Sequence, residues 1–412
     1  MVNAADLKIS DDYLAEVVER ISGGLEVADK AEFFASLAWS VICEPGDSFA
    51  GKLIAALGPD EALALELEAT SALRYREIFE ARDLDWVEMQ SFGRFERSLL
   101  EARERWKSRI SLSVIDKAIS EMTQHNGFFI YESSFEWPEA LADLGDFAPR
   151  GLWVRGSRQA IESLNKSVSI VGSRMASSYG QFATSELVSE LANHQFTIVS
   201  GGAYGIDAMA HRSALAVGLP TIAVMAGGLD RLYPSGNAEL FKQIEREGAL
   251  ISEMPPGAEP TKWRFLQRNR LIAALGAATV VVEANPRSGA VSTANRALEI
   301  GRPLGAVPGP INSAGSDGCH RLIRETEAQL ISSGQDLLEL LGQQQGFYLD
   351  SPGLGALETR VLDVIGFGIA GMEQIRAEAG LTLEEARTGL SGLVLLGIVE
   401  QNAEGWARVY AG

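Results

Sequence analysis

The chain is poor in the residues that staple or anchor proteins. Its 412 residues include two cysteines, Cys43 and Cys319, too few and too far apart for a disulfide framework or a zinc site, so no metal is expected. Apolar runs such as Thr279–Val282 and Leu393–Val399 fall far short of the ~20 residues that a bilayer demands. The start carries Asp6, Asp11 and Asp12 in place of a basic, then greasy leader. A cytoplasmic protein without membrane attachment is the expectation. Nucleotide motifs are missing too. There is no Gly-Lys-Ser/Thr, which excludes a Walker kinase, and no Gly-x-Gly-x-x-Gly after the first core strand. The second core strand ends in Ser200, where a dinucleotide enzyme would hold a ribose with an acid. No cofactor is expected.

Positive charge is also scarce. The 36 Lys+Arg against 55 Asp+Glu give a net charge of −19, which ordinarily disfavours a nucleic-acid partner. The deficit is unevenly spread, however. Asn165–Leu340 holds 15 basic and 16 acidic residues, a net of −1, which leaves −18 on the flanks. A local anion site is therefore allowed within that stretch.

Within it lie six apolar strand-like runs beginning at Val168, Thr197, Thr221, Ala249, Thr279 and Pro303, at spacings of 29, 24, 28, 30 and 24 residues. Each interval accommodates a strand, a helix and two short loops. The expected class is α/β, an extended Rossmann-like doubly wound parallel sheet. Ahead of it, apolar residues recur at helical spacing in Tyr13–Ile21, Phe33–Ile42 and Leu63–Leu73. Phe128–Tyr131 and the short strand in Gly151–Gly156 then lead to the sheet. Behind it, Leu357–Ile365, Met372–Ala379 and Thr382–Leu396 suit three helices, and Gly397–Val399 with Trp406–Tyr410 a two-stranded wing. The expected division is an N-terminal helical domain at 1–110, a Rossmann-like domain at 111–341 with its core at 165–340, a linker at 342–355 and a winged helix at 356–412. That last unit carries eight acids against four arginines, which suits a protein partner better than DNA.

Four constellations carry chemistry. In Gly172-Ser173-Arg174 with Ser177, glycine lets a phosphate approach the backbone, serine adds a hydroxyl and arginine a bidentate fork. Ser200-Gly201-Gly202-Ala203-Tyr204-Gly205-Ile206-Asp207 has the glycine density of a backbone anion nest. Gly227-Gly228 closes the third strand before Leu229–Pro234, in which Tyr233 is expected to pack. In Lys262–Ile272, the cations Lys262, Arg264, Arg268 and Arg270 and the amide of Asn269 interleave with Trp263 and Phe265, a pattern that suits a nucleic-acid strand. Arg264 and Arg268 share a helix face whereas Arg268 and Arg270 do not, so one of that last pair is expected to brace the fold. Ser288, Gly289 and Thr293 offer a further phosphate contact. Asp207, His211 and Glu283 are assigned structural support: Asp207 as a cap or a brace for His211, Glu283 as an ion pair to an arginine of Lys262–Arg270. A catalytic Ser200–His211–Asp207 set is disfavoured because Ser200 lacks the Gly-x-Ser-x-Gly elbow. No catalytic residue is assigned.

The order of these pieces closely resembles the DNA-processing protein A (DprA/Smf) family. The resemblance rests on Val168–Arg174, Ser200–Asp207 with His211, Gly228–Pro234, Ser252-Glu253, Arg268-Asn269-Arg270, Val282-Glu283-Ala284 with Ser288-Gly289, and Ala306–Gly309. It departs at Tyr204 and Pro220, which stand at usually basic positions, and at Gly318–Thr326. The resemblance implies a non-catalytic, sequence-independent single-stranded DNA binder that dimerises, protects incoming DNA and helps load the RecA recombinase in natural transformation. The competing reading is an enzyme or sensor for a nucleotide-derived small ligand.

Overall fold

A computed structural model describes residues 9–84, 91–343, 354–366, 368–402 and 405–409. The chain divides into two compact units, Met1–Gln343 and Gln344–Gly412. Most of the expected linker, residues 344–353, lies outside the described residues, as do Ala403, Glu404 and Tyr410 of the expected wing.

In the first unit the described residues form one sheet of nine strands. These are β1 (Phe128–Ile130), β2 (Leu152–Gly156), β3 (Ser167–Val171), β4 (Thr197–Ser200), β5 (Thr221–Met225), β6 (Ala249–Ser252), β7 (Thr279–Val281), β8 (Leu304–Ala306) and β9 (Gln329–Leu330). The order across the sheet is β1-β2-β6-β5-β4-β3-β7-β8-β9. Strands β3 to β9 run parallel, while β2 pairs antiparallel with both β1 and β6. Runs such as Ser-Val-Ser-Ile-Val and Thr-Ile-Ala-Val-Met are buried at every position, as a sheet covered on both faces requires. The six expected strands appear as β3 to β8, shifted by at most one residue. The order reverses between β3 and β7, which opens a crevice at their carboxyl ends.

The helical segment shares a core with one side of this sheet. Trp39 and Trp106 meet edge to face at 5.2 Å, and the same apolar cluster continues through Trp153, Met225 and Phe241. The helix expected over Leu63–Leu73 is instead two. Pro59–Leu67 stops where Ala69 takes a φ of 52°, and Ser71 starts Ala72–Ala81 by accepting from the Arg74 N–H. Apolar periodicity persists across such a break, and the break itself lies in a left-handed residue and a serine cap.

The second unit holds the helices Ala356–Ile365, Met372–Ala379 and Leu383–Leu395. Its strands are β10 (Ile369–Ala370), β11 (Val399–Asn402) and β12 (Gly405–Arg408), in the order β10-β12-β11 and antiparallel. Val361, Ile375, Leu390 and Leu393 fill its core. The third strand was not expected; two residues carry no readable alternation.

One buried charge in the first unit invites a test. Glu66, its side chain 1% exposed, accepts from Arg103 Nε at 2.8 Å and Nη2 at 2.9 Å and from the Tyr75 hydroxyl at 2.7 Å. Burial and the Glu66 charge drive the Tyr75 phenol far above its ordinary pKa. Glu66→Ala strands both donors and should destabilise the unit by about 3 kcal/mol, measured by denaturant unfolding. A loss below about 1 kcal/mol would show that water replaces the carboxylate.

Candidate nucleic-acid interface

The crevice beyond β3 and β7 is a cavity of about 800 Å³. Its walls are the turn after β3 (Gly172, Ser173, Arg174, Met175), the Lys262–Leu275 helix (Lys262, Phe265, Arg268, Asn269), the loop and helix start after β7 (Asn285, Ser288, Gly289, Thr293), and Asp207 with Tyr233. Thr261 caps the Lys262–Leu275 helix by accepting from the Arg264 N–H. Ser288 does the same for Gly289–Glu299 by accepting from the Ala290 N–H, so that helix turns its positive end toward the cavity.

Arg268 is the centre of the site. It is 6% exposed and, among the described residues, Nε and Nη1 have no hydrogen-bond partner. Burial pushes its pKa down to about 10, with Arg174 acting in the same direction and Asp207 opposing, so it stays charged at neutral pH. Asp207 is itself shifted upward by burial; the Arg268 charge and the backbone N–H groups of Ala203 and Gly172 oppose that shift. Above lies the ring of Phe265, with the guanidinium carbons of Arg174 and Arg268 at 5.4 and 5.7 Å from its centroid. Tyr233 meets that ring edge-on at 5.8 Å. Tyr233 packs as expected and, half exposed, also walls the cavity. Two cations and two rings thus converge on one space, with buried donors left unfilled.

Several expected contacts fall elsewhere, each for a visible reason. Ser177 caps Ser178–Ala192, and Glu283 occupies the place reserved for a phosphate: it accepts from the Ser177 N–H at 2.9 Å and the Ser177 hydroxyl at 2.5 Å. Glu283 therefore does not hold an arginine, and among the described residues it has no ion pair. Ser200 is buried and donates to the Ile170 carbonyl at 2.6 Å. Among the described residues His211 makes no hydrogen bond to Asp207. Its Nδ1 lies 2.7 Å from the Thr221 hydroxyl, whose own proton goes to the Ile198 carbonyl, so Nδ1 is the protonated nitrogen. Burial holds its pKa down at about 3.

The glycines of the second and third constellations serve the protein itself. A Cβ at Gly201 would collide with Nη1 of Arg268, and one at Gly205, at a φ of 78°, with the Ser173 carbonyl. Gly202 lies against Phe241, and its carbonyl accepts from Asn237. Gly228 donates to the Ala258 carbonyl at 2.8 Å, and Gly227 faces the same loop. These residues are seats for neighbouring groups, outside the cavity. Arg264 is spent on Glu44, at 2.7 and 3.1 Å, and on the Glu259 carbonyl. Arg270 braces the fold as one of its pair was expected to, reaching Glu253 at 2.6 Å. Asn285 and Met175 were not foreseen, although both follow strands that flank the reversal in strand order.

The family model described as DNA recombination-mediator protein A matches residues 128–342. This chain belongs to that family. It is 37% identical to the Mycobacterium tuberculosis protein named for DNA processing, DprA, over 72% of this chain and 82% of that protein. The crystal structure of DNA processing protein A from Streptococcus pneumoniae is 31% identical, covers 76% of this chain and 98% of its own, and superposes with a TM-score of 0.57. DNA processing protein A from Helicobacter pylori, described for its single-stranded DNA binding mode, is 32% identical over 52% of this chain and 96% of its own, with a TM-score of 0.47.

Two glycine substitutions separate seat from open space. Gly201→Ala should dislodge Arg268 and destabilise the fold by about 1–3 kcal/mol, as overpacking does. Gly289→Ala meets nothing within 4 Å at the first helical position and should be neutral or slightly stabilising. Melting curves of the two variants check the contrast, and equal effects would contradict it.

Proposed function

We propose that the cavity binds single-stranded DNA of arbitrary sequence. The supporting observation is Arg268, a buried cation with two unpaired donors that shares the face of Phe265 with Arg174. A phosphate supplies the acceptors, and a base supplies a ring to stack. Gly172, Ser173, Lys262, Asn269, Ser288 and Thr293 complete the wall. On this reading the protein is a non-catalytic mediator in the cytoplasm: it works as a homodimer, protects incoming strands and helps load RecA in natural transformation. The helical segment and the α/β core are its two N-terminal domains. The second unit, with three helices and a terminal hairpin, is read as a winged helix joined by a linker. A nucleotide enzyme is the weaker reading, since Ser200 and His211 are buried and engaged elsewhere.

Three cations reach the cavity, Arg174, Lys262 and Arg268, so neutralising about three phosphates of a single strand should give log K against log salt a slope of about −2. Arg174→Ala should weaken binding uniformly across sequences and flatten the slope by about 0.7 with the melting temperature unchanged. Salt-indifferent binding, a preference for duplex, or competition by a mononucleotide as strong as by a ten-base oligonucleotide would reject the reading.

Cleavage of the chain between Gln343 and Gly353 should leave a core with equal or slightly higher oligonucleotide affinity, because the acidic second unit repels phosphate. A folded core that loses most of its affinity would make the second unit part of the DNA site.

A further inference from the structure

A second cavity, of about 650 Å³, lies at the opposite edge of the sheet. Leu164 and Asn165 lead into β3, Ala277 into β7 and Arg302 into β8, so it opens at the amino ends of the parallel strands. Trp137, Ile161 and Leu275 give it apolar walls, and Phe135 stands 88% exposed at its rim. Its charge is opposite to that of the first cavity. Glu136 is paired with Arg158, and the one arginine, Arg302, with Asp143 at 2.7 Å, which leaves the carboxylates of Glu139 and Glu162 without an ion pair among the described residues.

Two polar atoms there lack partners. The Glu136 side chain is 2% exposed; one oxygen accepts from Arg158, and Oε2 has no partner among the described residues. Arg302 Nε is likewise buried and unpaired. A buried carboxylate oxygen without a donor is unfavourable, and an incoming cationic donor removes that cost. One unfilled acceptor and one unfilled donor, set among apolar walls, complement a peptide: a cationic side chain for Glu136, a backbone carbonyl for Arg302 and an aliphatic neighbour for the walls.

We propose that this cavity is a docking site, separate from the DNA site, for a segment of a partner protein that carries an arginine or lysine beside an apolar residue. Because DNA and partner enter at opposite sheet edges, both can be held at once. The probe is the capped tripeptide acetyl-Leu-Arg-Leu-amide, titrated calorimetrically into the full chain, with acetyl-Leu-Gln-Leu-amide and spermidine as comparisons. The arginine peptide should bind saturably, and the glutamine peptide and spermidine at least about tenfold more weakly. Glu136→Gln should weaken the peptide about tenfold, and the exposed Glu162→Gln, which spares the buried pair, by a few-fold. A ten-base oligonucleotide should neither displace the peptide nor bind these variants differently. The proposal is overturned if the arginine peptide fails to saturate, if the glutamine peptide binds equally, if spermidine matches the peptide, or if folded Glu162→Gln binds it unchanged.

Discussion

The positive charge of Arg268, held out of water against the backbone of Gly201, is the constraint on which the rest of the site depends. Burying a guanidinium costs several kcal/mol unless charge and hydrogen bonds offset it. Among the described residues, Asp207 supplies the opposing charge without a direct ion pair, and two N–H donors remain unused. The surroundings follow from that placement. Gly201 has no side chain because the guanidinium occupies the space one would need. Asp207 is held by backbone N–H groups of Ala203 and Gly172, one from each glycine turn, so those turns orient the counter-charge.

The Lys262–Leu275 helix carries Arg268 and is fixed by neighbouring side chains. Arg264 is pinned by Glu44, which also receives Arg109. Gly46 lies against Gln267, whose Oε1 would sit 2.7 Å from any Cβ added there. Arg270 is paired with Glu253 at the end of β6. Arg264 and Arg270 are thus committed to the protein, while Phe265, Arg268 and Asn269 line the cavity. A site preorganised in this way loses little side-chain freedom when a ligand arrives. The helical segment contributes to that rigidity through the Glu44 turn.

The sheet was legible because fully buried parallel strands leave continuous β-branched runs at regular intervals, and β3 to β8 begin within one residue of those runs. The cavity was partly legible for a related reason: the turns after β3 and β7 flank the reversal in strand order, where crevices form. The sequence was ambiguous about which polar groups the protein would consume. Glu283 was read as an arginine partner, yet it sits at a helix start, where two donors from Ser177 outbid a distant cation. Glycine density around Gly201–Gly205 resembles an anion nest, and the same density arises when two turns and a guanidinium must approach one another closely. Arg264 and Arg268 share a helix face in projection. Their fates divide because Glu44, 220 residues away in sequence, reaches only the first, and no local pattern encodes that contact.

The net charge of −19 and a phosphate site are compatible because they act over different distances. At physiological ionic strength, exposed charges are screened beyond about 8 Å, so the acidic flanks set a weak, long-range repulsion that mainly slows encounter. Within the cavity, Arg268 is shielded from solvent and its field is less screened, so attraction is strong only once a phosphate has entered. Such an arrangement selects for ligands that can bring further favourable contacts along with the phosphate, such as a base against Phe265. It penalises free inorganic anions, which meet the repulsion and have no ring to stack. The sparse basic charge inside the cavity is sufficient to attract an anion because it is buried.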